Sequence, residues 1–297
     1  MRSRWLLLGF PALILAGCSS QRDIEPDGIV SNNPCIDGVL EQIAAPGQIA
    51  AVSIYSHDAA SASASLAWGR HLPAIGTSAE EVITAQPRLL LTGSLASSGT
   101  NAALAKAGVK LLGFGVPASV AENKQQIRAI AKAIGREAAG EQLVRRIDRA
   151  ITPLPQAGGA GGGPVTQTTS ETAPTPNPSR KREGDFESAI IWQSGGFVPG
   201  KGTLQDELLA RAGFVNASAA YGLKQWQQLP FETLIRKPPS VIFMPVRGEG
   251  DAGRELAMRK RLLRHLRGKS RIVSFPDRLL FCGGPTIIEA MKVMRKS

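Results

Sequence analysis

Apolar and polar positions along the chain follow three different rhythms. In the first, short β-rich runs alternate with helical ones. Gly28–Ser31 and Ile49–Ile54 read as strands around a helix at Ile36–Ala44; Glu80–Ala85 (helix), Arg88–Leu91 (strand), Thr100–Ala107 (helix) and Val109–Phe114 (strand) follow. This alternation predicts an α/β lobe with a largely parallel sheet. In the second, from Ser119 to about Ala150, there is no proline, and Ile127, Ile130, Ile134, Val144, Ile147 and Ile151 recur at helical spacing. One helix of about 32 residues would be about 48 Å long, and the pattern lasts too few heptads for a coiled coil. It predicts a rigid connector over residues 118–152. In the third, residues 153–185, Pro153, Pro155 and a glycine-rich run lead into a Thr/Ser/Pro stretch and Arg180-Lys181-Arg182. Such a composition buries no core and predicts a disordered insert. The α/β rhythm then resumes: Ser188–Trp192, Val241–Met244 and Arg271–Phe275 read as strands, and Leu204–Ala212, Phe231–Arg236, Arg254–Leu266 and Thr286–Met294 as helices. The expected organisation is a lobe at 28–117, a linking helix at 118–152, the insert at 153–185 and a second lobe at 186–297.

The N-terminus changes the address of this body. Arg2 and Arg4 precede an apolar run from Trp5 to Leu15, then Leu15-Ala16-Gly17-Cys18. The charged start, short apolar run and small residues make a secretory signal over residues 1–17. The run is shorter than the roughly 20 residues of a spanning helix. Leu-Ala-Gly-Cys resembles the bacterial lipobox, which makes Cys18 the lipid-bearing first residue of the mature chain and 18–27 its tether. The formal charge is +11. Nucleic acid is the usual partner of so basic a chain, but export argues against it. Arg259, Lys260, Arg261, Arg264 and Arg267 crowd one stretch, read either as a solvated helix face or as a surface for an anionic bilayer or acidic partner.

Catalytic signals are weak. His57, His71 and His265 stand far apart, and there is no His-x-x-x-His pair, Gly-x-Ser-x-Gly elbow or phosphate loop. No enzyme activity, resident cofactor or metal is expected. The two lobes do share an echo. Glu80-Glu81-Val82-Ile83 is followed by Pro87 and a strand; Glu232-Thr233-Leu234-Ile235 is followed by Pro239 and a strand, at the same spacing. A glutamate in a first helical turn favours the helix dipole by itself; its matched place in both lobes also suits a paired, exposed function.

The order of these features resembles the periplasmic binding proteins of ABC importers for cobalamin and ferric siderophores, over about residues 28–297 apart from the insert. Its marks are Asn33-Pro34-Cys35 after the first strand, Gly76–Glu81 with Pro87, and Gly195-Gly196-Phe197 leading into Gly202-Thr203-Leu204. Leu229–Leu234 with Pro239 and Cys282-Gly283-Gly284-Pro285 complete them. The resemblance implies two Rossmann-like α/β lobes with central parallel sheets, bridged by a single long helix. It also implies a monomer docking on an ABC permease dimer with its ATPase, through one glutamate per lobe, here Glu80 and Glu232.

The ligand is expected between the lobes, against Asn33, Pro34, Cys35, Tyr55, Phe197, Trp226 and Cys282, with Trp226 in a polar loop. Trp192 and Trp68 are expected in the core or at the rim. For Cys35 and Cys282 three readings stay open: a disulfide across the cleft, direct contact with a metal-bearing ligand, or two inert small residues. A corrinoid, cobalamin foremost, is the expected ligand, although aromatic residues are sparser than the family suggests. A ferric siderophore or haem is the alternative, with Arg70, Arg247 or Arg278 meeting its anionic groups. An exported enzyme or chelatase-like protein on the same scaffold, or a structural envelope lipoprotein, are rivals of other classes.

Overall fold

The computed structural model describes residues 27–93, 98–152, 186–245, 254–279 and 281–297. The signal with Cys18, most of the tether, the 153–185 insert and Arg247 lie outside them. The N-terminal lobe runs β1 (Ile29–Ser31), α1 (Pro34–Ile43), β2 (Ile49–Ser53), α2 (Leu66–His71), β3 (Ala74–Ile75), α3 (Ala79–Thr84), β4 (Leu89–Gly93), α4 (Ser98–Lys106) and β5 (Leu111–Phe114). Its strands form one parallel sheet in the order β3-β2-β1-β4-β5. Helices α5 (Val120–Ala133) and α6 (Glu137–Ile151) follow. The C-terminal lobe runs β6 (Glu187–Ile191), β7 (Phe197–Pro199), α7 (Leu204–Ala212), β8 (Phe214–Asn216), β9 (Trp226–Gln228), α8 (Phe231–Arg236), β10 (Val241–Met244), α9 (Arg254–Leu266), β11 (Arg271–Ser274) and α10 (Thr286–Lys296). Its parallel sheet has the order β11-β10-β6-β8, and β7 and β9 pair as a separate antiparallel ribbon.

The central strands are apolar on both faces, as strands covered by helices on either side must be. Their side chains alternate between two cores with the period of a strand. Ile29, Leu89 and Leu91 face one cluster while Val30 and Leu90 face a second, outer one. In the other lobe Ala189, Ile191, Val241 and Phe243 face that same first cluster, and Ile190, Trp192, Ile242 and Met244 a third. So each lobe has an outer core of its own, and one inner core runs through both. Trp192 is fully buried.

The connector differs from expectation. Residues 118–152 form two helices, because Gly135 takes a left-handed φ of +67° that ends α5 as only glycine does cheaply. The two pack as an antiparallel hairpin: Lys124 pairs with Asp148 at 2.8 Å and Arg128 with Glu141. Gly140 on α6 lies against Ala131 on α5, where a Cβ at 140 would sit 2.5 Å from that of Ala131. Arg136 Nε donates to Ile43 O, and Gln48 Nε2 to Ile134 O, fastening the turn to the end of α1. Helix α6 also packs on α1, α7 and α10. The apolar spacing marked true helical faces; what it hid was that those faces close on each other and on the inner core. Among the described residues no helix is long and apolar enough to cross a membrane.

Candidate functional site

A cavity of about 1230 Å³ opens between the lobes, lined from both of them and from α5. It exceeds the ~300–1,000 Å³ usual for small-ligand pockets. It lies beyond the carboxyl ends of β1, β4 and β6, where parallel α/β sheets place their ligands.

The floor is built around Asn33. This residue caps α1, its Oδ1 accepting from Cys35 N at 2.9 Å and Ile36 N at 3.2 Å, with Pro34 at the first helical position. Capping fixes where Cys35 points, and Cys35 is joined to Cys282 by a disulfide with a Cα–Cα separation of 5.0 Å. The 281–284 loop is held a second way: Asn123 Oδ1 on α5 accepts from Gly284 N at 2.9 Å. A Cβ at residue 283 would lie 2.2 Å from Asn123 Nδ2, so glycine is what allows this approach. Covalent and hydrogen-bonded links thus join α1 and α5 to the loop before α10. Of the three readings open for this pair the structure shows the disulfide, and both cysteines line the cavity.

The walls are aromatic. Tyr55 stands in the short 3₁₀ turn Ile54–His57, and Phe197 and Trp226 face the cavity from the β7–β9 ribbon. Their exposures of 46%, 45% and 37% mark large apolar groups without a covering element. Trp226, expected in a polar loop, is in a strand, opposite Pro199. Phe114, Val116 and Phe281 join them; Val116 and Phe281 are more than half exposed. The polar lining is amide and hydroxyl: Asn32, Asn123, Gln126, Gln193, Thr77 and Thr92. No charged side chain lines the cavity among the described residues. Arg70 donates to His57 O, and Arg278 pairs with Glu289 in a separate, smaller pocket. Neither of these two arginines lines the cleft, and Arg247, the third that the siderophore reading named, lies outside the described residues. Among the described residues no three or more His, Cys, Asp or Glu side chains gather as a metal site.

Sequence reasoning missed Asn32, Phe114, Val116, Asn123, Gln126, Gln193 and Phe281. Asn123 was within reach, since it shares a helix face with Ile127 and Ile130 at spacings of four and seven. Phe281 adjoins a cysteine already chosen.

Glu80 and Glu232 are not at the cavity. Each is exposed in the first turn of a six-residue helix, α3 or α8, and two residues later Val82 or Leu234 is fully buried. Buried Pro87 and Pro239 then lead into β4 and β10. The internal echo is a structural repeat. Glu81 turns back over Gly76, where a Cβ would meet its carboxylate, so Glu80 is the outward one.

Buried away from the cavity, Asp37 links α1 to the next strand, its Oδ2 accepting from Ser53 N at 2.9 Å and Ser56 Oγ at 2.6 Å. Burial pushes its carboxyl up to about 7, against the lowering by Ser31, Ser56 and Ser53.

Residues 29–267 match the periplasmic binding protein family. Solved structures share the fold. A periplasmic haem-binding protein from Roseiflexus sp. RS-1, RhuT in its apo form, superposes with a TM-score of 0.63 at 21% identity, covering 92% of this chain and 99% of that one. The periplasmic haem-binding protein HutB of Vibrio cholerae gives a TM-score of 0.65 at 16% identity, with 90% and 97% covered. One from Pseudomonas aeruginosa gives 0.63 at 17% identity, with 91% and 92% covered. A DNA ligase from Erythrobacter litoralis is 40% identical over 83 residues, but this chain spans only 11% of that ligase's length. A family match across most of the chain, with two lobes about a large cleft, leads to one conclusion: this chain belongs to the periplasmic binding protein family.

Proposed function

We propose that this chain captures a corrinoid of the cobalamin class and delivers it to its permease, tethered to the membrane by a lipid on Cys18. The observation that carries the reading is the uncharged lining that the described residues give the cleft. A corrin ring bears neutral carboxamides around an apolar macrocycle, which suits aromatic walls and amide partners. Haem and ferric siderophores bring carboxylates or other anionic groups, and burying these without a cationic partner is costly. Glu80 and Glu232 then dock the two lobes on a two-fold permease, their charges setting register.

Haem is the second reading, favoured by what the similar solved proteins bind and by Tyr55, since a tyrosine phenolate can hold haem iron. The deciding experiment is tryptophan quenching of the full-length chain in detergent, with Trp226 as reporter. Titrants are cyanocobalamin, cobinamide, haemin and a ferric hydroxamate. Quenching by both corrinoids at lower concentrations than by haemin is expected. A haemin Soret shift that Tyr55→Phe abolishes, with no corrinoid response, would overturn the corrinoid reading in favour of haem.

A further inference from the structure

The cleft holds a buried amide nitrogen that has no partner among the described residues. Asn32 follows β1 directly and Gln193 stands two residues beyond β6, so each lobe places one amide past the end of its central strand. Both line the cavity, at 5% and 3% exposure. Among the described residues Gln193 Nε2 is buried without a hydrogen-bond partner. Neighbouring amides are committed: Asn33 caps α1, Asn123 Oδ1 holds Gly284 N, and Gln126 Nε2 donates to Gly115 O. A buried amide left unpaired lowers stability, and such atoms in a native fold call for a reason.

Resting on the corrinoid reading, we infer that Asn32 and Gln193 are a specificity pair, one from each lobe, that reads neutral amide groups on the ligand's rim. An amide offers both a donor and an acceptor, and so matches a carboxamide with either orientation. Rotation about the broad terminal torsion exchanges Gln193 Nε2 and Oε1 at low cost. A carboxylate at the same place accepts from the donor alone, leaves the amide oxygen unpaired, and brings a charge that no cation among the described lining residues balances. The pair therefore sorts amide-bearing rings from acid-bearing rings of the same size. Discrimination of this kind comes from groups that the wrong ligand leaves unpaired.

The test uses the full-length chain in detergent, titrated with cobinamide and with cobyrinic acid, which carries carboxylates where cobinamide carries amides. Wild type is expected to bind cobinamide at least tenfold tighter. Gln193→Met and Asn32→Leu should each weaken cobinamide binding about tenfold and shrink that preference. Unliganded Gln193→Met should melt about 2–4 °C above wild type, because an unpaired donor has gone. A purely structural glutamine predicts the opposite sign. Gln193→Glu keeps the shape and removes the donor, and should weaken cobinamide as Gln193→Met does. Cobinamide affinities within twofold of wild type in Asn32→Leu and either Gln193 variant would overturn the pair while leaving the corrinoid reading intact. Failure of wild type to bind either corrinoid would overturn both.

Discussion

The N-terminal sheet sets β2-β1-β4-β5 side by side, and the C-terminal sheet sets β8-β6-β10-β11 in the same order. Both lobes put a capped helix after the central strand, with Asn33 opening α1 and Thr203 opening α7. Each ties an acid of that helix to the end of the next strand: Asp37 to Ser53 and Ser56, Asp206 to Asn216. Each sends out one glutamate at the start of a short helix before its next central strand. The lobes part company at the cleft. The C-terminal lobe adds the β7–β9 ribbon with Phe197 and Trp226, while the N-terminal lobe supplies Asn33, Cys35 and Tyr55. What repeats belongs to the scaffold and to the outer face proposed to dock on a two-fold permease. What differs belongs to the ligand, which has no such symmetry.

The largest effect should come from cutting the joint at the cleft. Cys35 and Cys282 are 247 positions apart, and a disulfide closing so long a loop contributes roughly 4 kcal/mol. Replacing both with serine should lower the urea midpoint accordingly. An unchanged midpoint would mean that the inner core alone holds the lobes together.

The second effect sets the buried acid of the N-terminal lobe apart by pH. Asp37 is fully buried, its carboxyl pushed up to about 7 from an ordinary 3.8, and Asp206 is half-buried. The folded chain keeps the Asp37 proton up to about pH 7, while the unfolded chain releases it near pH 4. The native state therefore binds more protons across that window, and stability falls as pH rises through it. The slope is of the order of 1 kcal/mol per pH unit at most. Asp37→Asn should flatten this decline. Melting curves from pH 4.5 to 7.5 decide it: a constant offset between Asp37→Asn and wild type would refute the assignment.

Third is the connector. Gly140→Ala forces a methyl against Ala131, and overpacking of this kind costs about 1–3 kcal/mol. Since α6 also packs on α1, α7 and α10, the loss should appear as one cooperative transition. Separate melting of two lobes would show that the inner core is not shared.

These tests bear on features the sequence revealed unevenly. The alternating elements were legible because strands such as Val241–Met244 and helices such as Leu204–Ala212 carry long apolar signals. The repeat was legible through Glu80, Glu232 and their prolines. Strands β3, β7, β8 and β9 were not, since runs of two or three residues have no period to read. The break at Gly135 was missed because each flank keeps helical spacing by itself, although the two apolar faces are about 100° out of phase. Most of the cleft lining was missed, in part because amides such as Asn32 and Gln193 are ordinary polar letters until the fold buries them. The disulfide needed a distance that spacing alone does not give.

Fourth are the outer glutamates. Glu80→Ala and Glu232→Ala should each lower uptake about tenfold, the size of one charged contact between partners. Ligand affinity should stay unchanged, because neither residue lines the cleft. Equal losses in the two single variants would match the repeat; an affinity loss in the purified double variant would refute the assignment.

The smallest effect tests whether one cap serves two purposes. Asn33→Ala and Thr203→Ala each remove the side-chain oxygen that opens a helix, and each should cost about 1 kcal/mol. Stability alone therefore does not tell the lobes apart. Ligand affinity does, because Asn33 lines the cavity and Thr203 does not. Asn33→Asp restores the cap while putting a carboxylate at the cleft floor, so it should recover stability yet bind an uncharged ligand more weakly than wild type. If Asn33→Asp recovers affinity along with stability, the residue acts on the cleft only by holding α1 and Cys35 in place. If affinity stays low after the helix is capped again, the amide itself meets the ligand, and the same position in the scaffold has taken a second role in one lobe only.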